Sequence, residues 1–533
     1  QGVPVRPGSD VAVMLGLAHA LYRNGWHDKA FLERYTTGFD QFTDYLTGAA
    51  DGVPKTADWA GKIADVPAED IQALARRMSR SRTVVSASWS LTRQEHGEQP
   101  FWMATTLAAM LGQIGLPGGG VAFGYCAANS VGSEKRIVSY AALPQLENEV
   151  KDYIPVARIS DMLLNPGAEF RFDGQTLTYP DIRLVYWAGG NPFHHHQDLT
   201  RLCAAWQKPE SVIVHEWCWN ALAKRADIVL PCTTPLERDD IMITPRDRFV
   251  VAMKGVIPPV GEARNDHDIF RGISRRMGVE SAFTEGRSAE EWLEWLYDES
   301  RNRARRAEIE LPDYDTFRET NWHETEPPAS EADGFTEFRN DPEAAPLVTP
   351  SGRIEIFSET IASFGNATLL PHPAWYEPTE WLGRADERHP FHLISSQPPD
   401  KLHSQLDHGP VSKAAKENGR AAIRVHPRDA EDHGISEGDT VRVHNKRGAC
   451  LATAQYSDDL IRGVVQMSTG SWLDVVSEED GTMLCRHGNP NMLTRDVGTS
   501  EIAQGPTAHT CLVAVTRFAG NPPVEAFTPP VIE

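Results

Sequence analysis

Ile182-Arg183-Leu184-Val185-Tyr186-Trp187-Ala188-Gly189-Gly190-Asn191-Pro192 reads as a buried strand running into a glycine turn. Residues 198–206 then read as a helix and 211–214 as a second strand, with Glu216 just past its end and a third apolar run over 226–230. Short apolar runs separated by a helical stretch are the pattern of a parallel βαβ unit with a right-handed crossover. Glycines without side chains let a phosphate approach the backbone, and a helix N-terminus offers N–H groups and a favourable dipole. An acid at the tip of the second strand suits ribose hydroxyls. On these residues alone the unit also fits an ordinary βαβ fold without ligand, because the full G-x-G-x-x-G is not there.

Composition sets the bounds around that unit. At 533 residues, 41% hydrophobic and 24% charged, the chain reads as a globular protein with material for roughly three or four domains. A formal charge of −22, from Lys+Arg 52 against Asp+Glu 74, argues against nucleic acid and anionic membrane as partners. The seven cysteines, Cys126, Cys203, Cys218, Cys232, Cys450, Cys485 and Cys511, are scattered and never in C-x-x-C spacing. That pattern speaks against a zinc ribbon, an iron–sulfur cluster held by this chain alone, or a disulfide framework. Reduced thiols place the chain in the cytoplasm, with the periplasm as the alternative. No charge occurs over 101–132, but the helical part, 101–111, falls short of the ~20 apolar residues a membrane span needs, and Gly115-Leu116-Pro117-Gly118-Gly119-Gly120 breaks it.

Outward from the βαβ unit, the first segment reads as helices around one buried strand at 83–87. Ser9-Asp10 caps a helix carrying Val11, Met14, Leu15, Leu17, Ala18 and Leu21 at helical spacing, and 69–80 reads as another helix. The strand ends in Ser88-Trp89-Ser90-Leu91-Thr92-Arg93-Gln94, the kind of position where α/β folds place ligands. Its sheet lacks partner strands, which implies residues ahead of Gln1 in the native fold. From about residue 390 the texture becomes short strands, at 391–395, 422–425, 440–444, 449–456, 464–467 and 511–516, separated by tight turns such as Asn445-Lys446-Arg447-Gly448. That spacing predicts a small closed β-barrel.

Several ordered motifs together resemble the molybdopterin oxidoreductases of the dimethyl sulfoxide reductase family, on its biotin sulfoxide and trimethylamine N-oxide reductase side. The carriers are Trp89-Ser90-Leu91-Thr92-Arg93 with His96-Gly97-Glu98-Gln99, Leu111 to Gly120, and Ala188-Gly189-Gly190-Asn191-Pro192-Phe193-His194-His195-His196-Gln197-Asp198. Ala226-Asp227-Ile228-Val229-Leu230-Pro231, Glu262-Ala263-Arg264-Asn265-Asp266, Leu402-His403-Ser404-Gln405-Leu406 and Asn491-Met492-Leu493-Thr494 follow in order.

The resemblance implies an α/β fold in which parallel-sheet nucleotide-binding domains precede a C-terminal double-psi-type β-barrel. The implied organisation is 1–120, the C-terminal part of an α/β cofactor-binding domain; 121–240, a second α/β guanine-dinucleotide-binding domain; 241–387, a mixed connecting region; and 388–525, a cofactor-binding barrel. It implies a bis(molybdopterin guanine dinucleotide) molybdenum cofactor. Gly190, Asn191 and His195 would meet its diphosphate part, Glu216 the ribose and Asp266 the guanine. His403, Ser404, Gln405, Asn491 and Gln504 match positions that contact the pterins or their tails. The implied activity is reduction of an S-oxide or N-oxide by oxygen-atom transfer, with electrons from a donor protein. Arg93 is the candidate for polarising the substrate oxygen, being always charged and fork-shaped; a structural ion pair with Glu95 or Glu98 is the competing reading. Trp89 would shape the pocket or simply be buried. In that family a serine from an N-terminal region ligates the metal, and no segment here matches it. The expectation is therefore a missing N-terminal segment or partner chain, with a non-catalytic cofactor-binding subunit or inactive fragment as the alternative.

Two other motifs carry less. His194-His195-His196 invites a metal reading, but adjacent side chains diverge, and metal sites favour spacings such as H-x-x-x-H. No G-x-x-x-x-G-K-[ST] occurs, so P-loop chemistry is disfavoured. Loops at 129–144 and 472–487 are the candidates for substrate selection.

Overall fold

The computed structural model describes residues 2–125, 131, 138–244, 247–326, 334–366 and 368–520. Part of the 129–144 loop therefore lies outside the described residues. Three strands, β1 (Leu184–Ala188), β2 (Ser211–Glu216) and β3 (Ile228–Pro231), form a parallel sheet in the order β1-β2-β3. The βαβ unit read from the sequence is thus present. One feature differs: β1 is not a buried strand, since Leu184 is 52% exposed. Only β2 is paired on both sides, and Val212 and Val214 on it are buried. The crossover helix, Leu199–Ala205, is capped by Asp198, whose carboxylate accepts from the Arg201 N–H, and it buries Leu199, Leu202 and Ala205.

The C-terminal strands are β4 (Phe391–Ser396), β5 (Ala422–Val425), β6 (Thr440–Asn445), β7 (Gly448–Tyr456), β8 (Val464–Ser468), β9 (Val475–Ser477), β10 (Met483–Cys485) and β11 (Leu512–Arg517). Their order, β5-β8-β4-β11-β6-β7-β10-β9, closes on itself because β5 also pairs with β7. Six strands make the ring, with β4–β8 and β5–β7 parallel and its other pairs antiparallel. Closure removes the open edges that short strands would otherwise expose. Alternating residues such as Val441, Val443, Val465 and Met467 point inward and join Phe193, Leu199, Leu202 and Val214 in one continuous core. Barrel and βαβ unit are therefore packed as one body at this point, and the glycine turn after β1 faces the barrel.

The first segment is helical, as expected. Asp10–Arg23, Ala57–Ala64, Ala68–Arg80 and Gln99–Met110 bury Leu15, Leu21, Ala60, Ile71 and Leu107 in a separate core. Ser9 does not cap the first helix: its hydroxyl donates to the Arg6 carbonyl at 2.6 Å instead. The strand predicted as buried is Val84–Ser86, which pairs in parallel with Gly120–Ala122 and leaves Val84 exposed on this two-stranded edge. Among the described residues no helix is long and apolar enough to cross a membrane.

The stretch expected to be a mixed connector has its own organisation. Phe249–Met253 pairs with Asp240–Met242 and Trp322–Glu324, and Val250, Tyr297 and Phe317 form a third core beneath the helix Ala289–Arg306. Phe338, Ile354, Ile356 and Ala374 then pack back onto the N-terminal helices.

Candidate functional site

A cavity of about 340 Å³ opens where the glycine turn after β1 meets the barrel. It gathers Arg93, Gly190, Asn191, His195, His403 and Asn491 of the residues singled out in the sequence, together with Trp187, Gln397, Thr469 and His509. A larger hollow of about 620 Å³ beside Tyr22, His27 and Phe39 holds none of those residues.

Local geometry explains how the turn serves the cavity. Gly189 and Gly190 adopt φ values of +84° and +80°, and a side chain at Gly189 would meet open space. Asn191 caps the four-residue helix Pro192–His195 by accepting from the Phe193 N–H at 3.0 Å. That bond orients its carboxamide and leaves Nδ2 buried without a partner among the described residues, as is the Trp187 indole Nε1. The expectation of a helix N-terminus as the anion site is corrected here. This helix has one turn, and Pro192 at its first position has no N–H. The donors are side chains instead. A buried unpaired donor costs about 1–3 kcal/mol, so two of them beside one cavity mark a place for acceptor oxygens or ring nitrogens.

Electrostatics follow the same logic. Arg93 makes no ion pair with a described residue, and burial lowers its pKa. The proposed structural partners are otherwise engaged: Glu95 pairs with Arg495 at 2.7 Å, and Glu98 is half-buried with its pKa raised by desolvation. Burial, then His403 and Arg93, push the His195 pKa down. His509 is pushed down to about 4, chiefly by burial. Its Nδ1 accepts from the Ser395 N–H at 3.4 Å, so the neutral ring carries its proton on Nε2. The cavity thus offers one cation, neutral imidazoles and amide donors.

The histidine triplet diverges as its spacing predicts. His194 is buried and stacks on Trp472 with ring centroids 6.1 Å apart, and burial lowers its pKa to about 3. His195 faces His403 edge-on at 5.3 Å. His196 Nε2 lies 2.9 Å from both Asp496 and Ser160. Asn491 underpins the triplet by donating to the His194 carbonyl at 2.8 Å.

Other expected site residues lie elsewhere. Trp89 is neither buried nor at the cavity: it is 53% exposed on a single 3₁₀ turn and touches Phe123. Glu216 is buried and accepts from Asn220 Nδ2, with burial raising its pKa, so it is turned away from the cavity. Gln504 spends both ends of its amide on Arg158, at 3.0 Å, and the Arg171 carbonyl, at 2.9 Å. Ser404 is buried, its carbonyl accepting from Trp472 Nε1 at 2.9 Å, while Gln405 is exposed on the same loop. Asp266 begins the helix Asp266–Arg276 beyond the ends of β2 and β3. His509 and Trp187 were not anticipated; an imidazole just ahead of a predicted strand was the only signal for His509.

One glycine holds the His403 loop in place. Gly470 has φ +98°, and a Cβ there would lie 1.9 Å from the His403 carbonyl oxygen. Gly470→Ala is expected to cost about 1–3 kcal/mol of stability, read from urea denaturation, through strain at a positive φ and displacement of the loop.

Comparison with known proteins fits this geometry. The molybdopterin oxidoreductase family model matches residues 1–276. The molydopterin dinucleotide binding domain model matches 391–512. The chain is 50% identical over 519 residues to biotin sulfoxide reductase of Cereibacter sphaeroides, covering 97% of this chain and 69% of that one. It is 44% identical to trimethylamine-N-oxide reductase of Haemophilus influenzae, covering 99% and 66%. The dimethyl sulfoxide/trimethylamine N-oxide reductase of Cereibacter sphaeroides is also 44% identical, covering 98% and 65%. The chain therefore spans about two thirds of the length of these curated relatives. Among solved structures, acetylene hydratase from Pelobacter acetylenicus superposes with a TM-score of 0.69 at 16% identity, over 97% of this chain and 71% of that one, which shows a shared fold. With its catalytic-family and dinucleotide-binding models matched and half its residues identical to one relative, the chain belongs to the molybdopterin oxidoreductase family.

Proposed function

We propose that the cavity takes a pterin and diphosphate portion of a bis(molybdopterin guanine dinucleotide) cofactor and that the protein reduces an S-oxide or N-oxide. The observation that carries this is the pairing of donors left without a partner among the described residues, Asn191 Nδ2 and Trp187 Nε1, with an arginine that makes no ion pair with any of them in the same cavity. Donors of that kind fit the acceptor-rich diphosphate and pterin of such a group. Asn191, His195 and His403 would hold it, with Gly190 permitting its close approach. When bound, the cofactor supplies the metal-centred two-electron redox chemistry that oxygen-atom transfer requires.

This chain's residues supply position and polarity. Arg93 orients the oxide through N–H groups aimed at its partly negative oxygen. His195 and His509, neutral near pH 7, place no second positive charge against that guanidinium. Overall, the oxide, two electrons and two protons yield the reduced sulfide or amine and water, with the electrons delivered by a donor protein. Dye-linked reduction of dimethyl sulfoxide, trimethylamine N-oxide and biotin sulfoxide by the metal-loaded protein tests the reading. Turnover of at least one is expected. Protein loaded with molybdenum and guanine nucleotide that reduces none of them contradicts it and favours a non-catalytic cofactor carrier.

A further inference from the structure

Asp266, His215 and Tyr186 form a hydrogen-bonded chain that the cavity does not account for. The Tyr186 hydroxyl lies 2.7 Å from His215 Nε2, and His215 Nδ1 lies 2.7 Å from Asp266 Oδ1. The direction of each bond follows from the chemistry of the end group. A carboxylate only accepts, so Nδ1 must carry the proton; a neutral ring then has Nε2 as acceptor, and Tyr186 must donate. Burial, then the Asp266 charge, raise the Tyr186 pKa, which keeps that proton in place.

The fold fixes all three groups. Tyr186 lies on β1 and His215 opposite Ala188 on β2, where the imidazole side chain is 1% exposed. Phe270, one turn along the helix from Asp266, stacks on Tyr186, at 5.6 Å, and lies tilted against His215, at 4.8 Å. The bridge between Cys232 and Arg264 extends the parallel sheet and delivers Asp266 to the carboxyl ends of the strands, the same end as the glycine turn. There Asp266 is 45% exposed, with Oδ1 held by His215 and Oδ2 given no hydrogen bond by that pair.

We propose that His215, backed by Tyr186, is a positioning residue that holds the Asp266 carboxylate to accept two adjacent N–H groups, so that this end of the site selects a base presenting both, guanine, over hypoxanthine or adenine. This rests on the reading of the cavity as a guanine-dinucleotide site. A carboxylate has two acceptor oxygens in one plane, and guanine offers a ring N–H beside an exocyclic amino group. Hypoxanthine offers only the ring N–H, and adenine presents an acceptor there.

The test is calorimetric titration of GDP, IDP and ADP into the full chain, produced in a host unable to make the cofactor. Wild-type protein is expected to bind GDP about tenfold or more tighter than IDP or ADP. His215→Phe, which keeps the ring packing without Nδ1–H, should weaken GDP by about tenfold, weaken IDP by less and leave ADP unchanged. His215→Asn, whose amide N–H falls near the position of Nδ1–H, should restore most of the preference. Tyr186→Phe, on the more exposed β1, provides a second reading if His215→Phe does not fold, with a loss of about threefold for GDP. Retention of the full GDP preference in folded His215→Phe or Tyr186→Phe overturns the positioning role. Equal binding of GDP and ADP by the wild type overturns the guanine-dinucleotide reading itself, and the two failures are distinct.

Discussion

Arg93→Ala is expected to lower kcat/KM for oxide reduction by about 100- to 1,000-fold, the usual consequence of removing a preorganised donor from a developing oxyanion. The guanidinium is the only arginine or lysine group lining the cavity among the described residues, and no carboxylate shares its charge. Arg93→Lys should recover little, because a single ammonium cannot reproduce the planar fork. If Arg93 were merely structural, the alanine variant would lose stability and keep its activity per folded molecule. Steady-state kinetics alongside a urea melt separate these outcomes.

The second large effect concerns Asp407, which sits at the hub of a buried charge cluster beneath the His403 loop. Its carboxylate lies 3.2 Å from Lys401, 2.8 Å from Lys416 and 3.1 Å from His487, and accepts from the Trp472 N–H at 3.0 Å. The side chain is 1% exposed, so Asp407→Asn leaves the buried Lys416 without a carboxylate partner, while Lys401 keeps Asp400 at 3.1 Å, and should cost about 3–5 kcal/mol. Burial alone would raise the pKa of this carboxyl, but the His487 hydrogen bond and the Lys416 charge outweigh it and hold it well below the usual carboxylate range. A depressed folded pKa means the stabilisation is complete above the unfolded value of about 3.9 and is lost as pH falls below it. Urea midpoints should therefore differ most between wild type and Asp407→Asn near pH 7, and the gap should begin to narrow once the pH drops below about 4 and keep shrinking as the pH falls toward the much lower folded value. A gap independent of pH would contradict the ionised-hub account.

Much of the fold was legible because two periodicities dominate it. The six ring strands were readable from apolar alternation between Gly and Asp turns, with ends displaced by a residue or so. β9 and β10 were not, since each has three residues and they flank the acidic turn Glu478-Glu479-Asp480-Gly481. The cavity was half legible. Its glycine turn and its His403 and Asn491 loops carry strong local motifs, but which side chains face inward is a tertiary matter. Glu216 has the right position for a ribose acid, yet Asn220, four residues on, turns it into the interior. Trp89 reads as an aromatic near a strand end, but its strand is too exposed to bury it. His509 and the Tyr186–His215–Asp266 chain have no local signature, because their meaning arises only from strands and loops brought together by the shared core.

In the proposed reading, the cavity between the glycine turn and the barrel binds a molybdenum guanine dinucleotide cofactor. The most direct measurement is mass spectrometry of the nucleotide released by acid from protein purified out of a cofactor-producing host, with molybdenum determined in the same sample. Two GMP per molybdenum are expected, with loss of both nucleotide and metal when Asn191 is replaced by Leu. Folded wild-type protein that carries no guanine nucleotide, or an Asn191→Leu variant that retains the full complement, would contradict it.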